Sequence, residues 1–365
     1  MHGTEPGELS PTKPIQISPK LFLAPMEGVT DWVMRDLLTS LKFTNQAKFI
    51  GQNDLSPTNP ADCLPIDQCV TEFLRVTDTL FPDSVFYKNC PELLTHSKTR
   101  SGTPVFIQLL GGQADPLAWN AQKAVQLGAL GIDLNFGCPA KTVNRHDGGA
   151  SLLKSTDRIF NIVKTVRSAV PKNTPVTVKI RLGFDDPSQC LENAAAIAEA
   201  GASWLTVHCR TKTDGYRPPA YWEWITKIKE LTKIKIVANG EIWTQDDFKK
   251  CQDITNCTDF MIGRGALRNP FLFHEIKSLS ENKSKTVTGQ NESHNYNHSE
   301  SLKLVPGFYK ACTAFKSESF AIARCKQWLN QLGQASESAK EIFDRLKIIE
   351  NPIDFESELK QLSRE

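Results

Sequence analysis

Eight short apolar runs, each leading to a polar or glycine-rich tip and then to a helical stretch, recur through this sequence. Nothing else in it restricts the fold as strongly. The runs occupy 21–24, 69–73, 105–110, 132–135, 176–181, 205–208, 234–238 and 260–263. Most are rich in Val, Ile, Leu or Phe, the composition of parallel strands covered by helices. Eight such units over about 250 residues match a (β/α)₈ TIM barrel, whereas a doubly wound sheet needs fewer. Helix starts are marked too. Asp115 before Pro116 reads as a cap with proline at the first helical position. Thr244 to Asp247 reads as an approximate capping box.

In a barrel the strand tips gather on one face, where active sites are found. In order, the tips here offer Met26 and Glu27, Glu72, Gln108, Asn135 with Cys138, Lys179, His208, Asn239-Gly240-Glu241, and Gly263 with Arg264. A single polar residue at a strand end is unremarkable. Eight convergent tips are poorly explained that way.

The chain has 365 residues, enough for a barrel and a smaller part. The expected organisation is a disordered extension over 1–20, a barrel over 21–280 with an insertion at 45–67, a flexible linker at 281–301 and a helical domain over 302–365. The linker carries His294 and His298 in a polar tract and reads as solvated chain, with no metal site. The helical part has Phe308, Phe315, Phe320, Ile322, Trp328, Leu329, Phe343 and Leu346 as candidate core. A formal charge of +2 neither demands nor excludes a nucleic acid, so any basic surface is local. The ten cysteines include no Cys-x-x-Cys pair and read as reduced thiols, mostly buried. No run approaches the roughly 18 apolar residues of a membrane span, and the first twenty residues lack a signal-like apolar core. A cytoplasmic monomer without metal or membrane contact is the expectation.

Four features carry chemistry. Gly263-Arg-Gly265 after the last strand suits a phosphate: glycines let backbone approach, and Arg264 can fork onto oxygens. Lys179, between Val178 and Ile180, faces the mouth and needs an anion, either a bound ligand or Glu241 or Glu72. His208 can hydrogen-bond a ligand carbonyl or be a satisfied core residue. Cys138, stiffened by Gly137 and Pro139, has an ordinary thiol pKa near 8.5, so near neutral pH it can act as an acid. The polar run 141–150 reads as a mobile substrate loop able to serve as a lid.

These residues resemble the tRNA-dihydrouridine synthase family. The matching motifs are Ala24-Pro-Met-Glu-Gly28, Asp133-Leu-Asn-Phe-Gly-Cys-Pro139, Val178-Lys-Ile-Arg-Leu-Gly183, Val207-His208, Ala238-Asn-Gly-Glu241 and Met261-Ile-Gly-Arg-Gly265. Thr71 to Arg75, Gly215 to Arg217, Asn239 to Trp243 and Lys326 to Leu329 look most like its bacterial C-type branch, which acts on uridine 16 of the tRNA D-loop. The insertion and the linker depart from that branch. The resemblance implies FMN held by Pro25, Met26, Glu27, Gln108, Lys179, His208, Asn239, Gly240, Glu241, Gly263 and Arg264. It implies Cys138 as general acid, tRNA oriented by Arg75, Tyr216, Arg324, Lys326 and Gln331, and NADPH as electron source. Two other functions fit less well: an FMN barrel reducing a free pyrimidine or small enone, and a tRNA-binding protein whose flavin is vestigial.

Overall fold

The computed structural model describes residues 18–41, 64–282 and 299–362. Most of the expected N-terminal extension, the bulk of the insertion and the histidine-bearing linker lie outside the described residues.

Nine parallel strands form one sheet: β1 Lys20–Leu23, β2 Gln68–Val70, β3 Leu74–Arg75, β4 Val105–Leu110, β5 Ile132–Phe136, β6 Val176–Arg181, β7 Trp204–His208, β8 Lys235–Asn239 and β9 Asp259–Ile262. Pairing of β1 with both β2 and β9, and of β2 with β4, closes the sheet into a ring of eight. The ninth, β3, continues β2 along β4 after a break. Val70 opposes Phe106 and Leu74 opposes Leu109, so the first strand holds one residue more over that span. Such a bulge re-aims the side chains beside it. Here it frees Glu72, whose Oε1 accepts the Val29 N–H at 3.0 Å.

Alternation along the strands sorts side chains into two cores. Odd-numbered Leu21, Val105, Ile107 and Leu109, with Leu134, Val178, Val207 and Ala238 on other strands, face the surrounding helices. Phe22, Ala24, Val70, Phe106, Val237 and Met261 form a separate cluster inside the barrel, with Trp204 packed against it. Phe22 and Phe106 lie 6.2 and 5.6 Å from the Trp204 ring and plug the lower barrel. The inward positions above this plug cannot be apolar and still bind a polar ligand. They are Gln108, Asn135, Lys179, His208 and Asn239, all on the strand faces opposite the outer core.

The Thr244 capping box forms as expected, the hydroxyl accepting the Asp247 N–H at 3.1 Å. The other expected start does not. The helix runs Ala114–Gln126, with Gln113 at its cap, so Asp115 and Pro116 sit inside the first turn. Asp115 there still favours the helix dipole.

The C-terminal helices Val305–Phe315, Glu318–Leu332, Glu337–Leu346 and Pro352–Leu362 join the outer core without a break. Phe308, Ile322, Trp328, Leu329 and Leu346 are buried, while Phe315, Phe320 and Phe343 are half-buried. Trp328 donates its indole N–H to Leu267 O at 3.1 Å. Arg324, 5 % exposed, reaches the barrel with three nitrogens. Nε bonds Asp31 Oδ2 at 3.1 Å, Nη1 bonds Gly28 O at 3.0 Å, and Nη2 bonds Val29 O. Losing these charged bonds in Arg324→Ala is expected to destabilise the fold by about 2–3 kcal/mol. Half-exposed Lys326 replaced by alanine should stay within about 0.5 kcal/mol of native. Denaturant midpoints check both, and an Arg324 variant as stable as native would contradict the assignment.

Candidate active site

A cavity of about 650 Å³ opens at the tips of the strands, and a narrower one of about 100 Å³ adjoins it. They share Pro25, Met26, Lys179, His208, Tyr216 and Arg264. Glu27, Gln108, Asn135 and Cys138 line the wide part; Asn239, Gly240, Glu241 and Gly263 line the narrow one.

Cys138 hangs on a turn built by Asn135. The Asn135 Oδ1 accepts the N–H of Gly137 at 3.0 Å and of Cys138 at 2.9 Å. An Asn side chain bonding backbone two and three residues on is a standard way to fix a tight turn. The Cys138 carbonyl accepts from Ala150 N at 3.1 Å and Asn144 Nδ2 at 3.0 Å. The run 141–150 opens with a short helix, Lys141–Asn144, and these two bonds tie it back to the cysteine. Burial, ahead of the nearby Glu27 charge, pushes the thiol above its ordinary value.

Lys179 pairs with neither Glu241 nor Glu72. Among the described residues its ammonium bonds Asn239 Oδ1 at 3.0 Å, and Asn239 in turn donates to Met261 O. Burial, then the neighbouring Arg181, lower its pKa to about 8. The amine therefore remains mainly charged at neutral pH with two of its three protons directed at no acceptor here, and it calls for an anion in the cavity. His208 is held neutral: burial first, then the Arg181, Lys179 and Arg210 charges, take its pKa well below the usual 6.5.

The narrow end is cationic. Buried Arg210 forms an ion pair with Glu241 Oε1 at 2.7 Å, and Arg264 reaches the same oxygen at 3.4 Å. Arg264 also lies over the rings of Tyr216 and Trp243, at 4.7 Å from each. Gly240 takes φ +119°, and a Cβ there would stand 3.1 Å from the His208 ring. At Gly263 a Cβ would stand 3.2 Å from Met26 Sδ. Side chains at either position would crowd the space a ligand needs. On the opposite rim burial, then Glu72, push Glu27 up to about 7.

All eleven residues assigned to the cofactor thus line these cavities, as do Cys138, Tyr216, Arg324 and Gln331. Two residues assigned to tRNA do not. Arg75 turns to a neighbouring cleft, where it bonds Thr142 O at 3.3 Å, because the bulge ends before it. Lys326 lines neither cavity. Arg324 contributes to the wall, yet its guanidinium is engaged by the barrel.

Three residues escaped the sequence reading. Arg181 bonds Gly137 O at 2.9 Å and Gly215 O at 2.8 Å, joining the cysteine turn to the Tyr216 loop. Its spacing of two from Lys179 was a usable signal, since both then share a strand face. Trp243 stacks with two arginines, and Asp133 lies buried under the site; neither carries a signal beyond its motif.

Similarity to known proteins decides the family. The dihydrouridine synthase (Dus) family model matches residues 22–359. The chain belongs to the dihydrouridine synthase family. It is 44% identical over 329 residues to the tRNA-dihydrouridine(16) synthase of Shewanella oneidensis, covering 90% of this chain and 93% of that one. It is 41% identical to the protein of the same name from Neisseria meningitidis serogroup B, covering 95% of each. To that of Haemophilus influenzae it is 40% identical, covering 94% and 99%. A solved structure, histamine dehydrogenase from Rhizobium sp. 4-9, shares the fold alone, at TM-score 0.50 and 13% identity over 82% of this chain and 50% of that one. As a dihydrouridine synthase the chain is an oxidoreductase. Among the described residues no group of three or more His, Cys, Asp or Glu could hold a metal, and no helix is long and apolar enough to cross a membrane.

Proposed function

We propose that this chain reduces uridine to 5,6-dihydrouridine at position 16 of the tRNA D-loop in the cytoplasm, with FMN bound at the barrel mouth and NADPH as electron source. The observation carrying the reading is that the Cys138 sulfur and the half-buried Lys179 side chain open on one cavity. The donor set suits FMN. Lys179 and neutral His208 offer N–H groups to the electron-rich pyrimidine edge of a flavin, and Arg264 beside Gly263 offers a phosphate contact. Gln108 and Asn239 supply amide contacts to the same ligand.

When bound, the flavin supplies a hydride that uracil accepts at C6. Negative charge then develops toward C5 and the C4 carbonyl oxygen. The Cys138 Sγ proton goes to C5, forming the C–H bond and leaving a thiolate that must regain a proton from solvent. A turn fixed by Asn135 and Arg181 keeps that sulfur in one place, which is where most of the gain from positioning arises.

Uridine must leave its stack to enter a barrel mouth. Tyr216, 54 % exposed with guanidinia of Arg181 and Arg264 at 5.2 and 4.7 Å, offers a cationic aromatic platform for RNA. Gln327, Trp328 and Gln331 of the C-terminal helices complete the wall, an extent that suits a macromolecular substrate better than a free pyrimidine. Comparing turnover on unmodified tRNA and on free uridine tests this: tRNA should be strongly preferred, and equal turnover would defeat the reading.

The thiol also fixes a pH expectation. Burial raises its pKa, so the acid form persists to higher pH than in a free thiol. With FMN saturating, single-turnover dihydrouridine formation should hold steady from neutral pH to 8; a rate already halved there would contradict Cys138 as the donor.

A further inference from the structure

We propose that Asp133 is a positioning residue for this reaction: through Gln108 and Asn135 it sets the direction of the hydrogen-bond chain that holds the Cys138 turn. The inference rests on the proposed role of Cys138, and its two arms below fail separately.

Asp133 sits on β5 beneath the cavity, 1 % exposed, opposite Gln108 on β4 and Thr177 on β6. Thr177 donates its hydroxyl to Oδ1, and Gln108 Nε2 donates to Oδ2 at 2.7 Å. An ionised carboxylate can only accept. Gln108 must therefore turn its NH₂ toward Asp133 and its oxygen away. That oxygen accepts from Asn135 Nδ2 at 2.8 Å. Asn135 in turn has only its oxygen left to face Gly137 and Cys138, whose N–H groups it accepts at 3.0 and 2.9 Å.

The backbone N–H groups of Gly137 and Cys138 at one end and the carboxylate acceptor at the other demand the same direction of both amides, and a reversed link would set an NH₂ against the N–H of Cys138. Burial raises the Asp133 pKa on balance, while its two donors and the nearby Lys179 charge act the other way; both carboxylate oxygens face a donor, which is the acceptor geometry the chain requires. Gln108 and Asn135 also line the cavity, so one chain orients a ligand contact and the acid together.

Two substitutions reverse or loosen the chain. Asp133→Asn places an amide that can donate where only an acceptor stood. Thr177→Val removes one donor and leaves the carboxylate easier to protonate, while Thr177→Ser retains the hydroxyl. Amide hydrogen exchange of the peptide spanning 135–139 should quicken about tenfold or more in the first two, with peptides elsewhere in β5 and β6 unchanged and the serine variant near native. This arm needs no bound cofactor. In the same variants kcat for dihydrouridine formation should fall about tenfold or more with KM for tRNA within about twofold.

Native exchange at this peptide in both variants would overturn the chain itself, whatever the reaction. Faster exchange with unchanged kcat would overturn its catalytic importance. If Asp133→Asn fails to fold, Thr177→Val against Thr177→Ser decides both points. Failure of the native protein to make dihydrouridine would defeat the proposed function and leave the exchange result readable.

Discussion

Cys138→Ala should lose dihydrouridine formation by about 10²–10⁴-fold, the usual contribution of a positioned general acid. Flavin absorbance and tRNA affinity should stay near native. The sulfur's one recorded hydrogen bond is with the Ala140 backbone, while the turn is held by the backbone N–H of Cys138 and by its carbonyl, both retained in alanine. The loss should therefore fall on kcat. Cys138→Ser should recover little, because a hydroxyl is a far weaker acid than a thiol. Dihydrouridine yield measured by mass spectrometry of digested tRNA checks this, and a yield within a factor of two of native would remove Cys138 from the mechanism.

Lys179→Met should strip the protein of its flavin. The methionine nearly keeps the length of the side chain and deletes its ammonium. A charged hydrogen bond is worth about 1.5–3 kcal/mol, so FMN affinity should fall by about 10–150-fold. The sign of the pH effect follows from burial, which lowers the amine to about 8. Below that pH the ammonium is present and favours an anionic ligand; as pH rises through it, the charge and its contribution are lost. FMN affinity of the native protein should weaken above pH 8, and the methionine variant should show no such dependence. Titration of the flavin-free protein, followed by flavin fluorescence, measures both. Full occupancy in the variant would contradict the assigned partner.

Much of this site was legible because strand periodicity carries it. Phe22, Phe106 and Val237 share a face with Ala24, Gln108 and Asn239 two residues on, so the parity that fills the lower barrel also aims the upper residues at the mouth. Boundaries were less legible. The last two runs were each set one residue away from β8 and β9: Ile234 was counted as strand and Asn239 as tip, while Asp259 looks like a loop residue until its ion pair with Lys235 at 2.7 Å is seen. The bulge after Val70 was invisible, because pairing register depends on β4, more than thirty residues away.

Arg324 shows a different limit. On its helix it looks like a cation offered to RNA phosphates. Its partners Gly28, Val29 and Asp31 lie almost three hundred residues earlier in the chain, beyond any local pattern. The same holds for Arg181, whose three acceptors come from two separate loops, and for Asp133, whose importance exists only through its neighbours on β4 and β6.

The most direct measurement incubates the purified protein with NADPH and fully unmodified tRNA, then maps dihydrouridine nucleotide by nucleotide. Product at uridine 16 of the D-loop, and its absence when the Cys138→Ala variant replaces native protein, is the predicted result. No dihydrouridine from the native protein, or a product at other uridines with position 16 untouched, would contradict it.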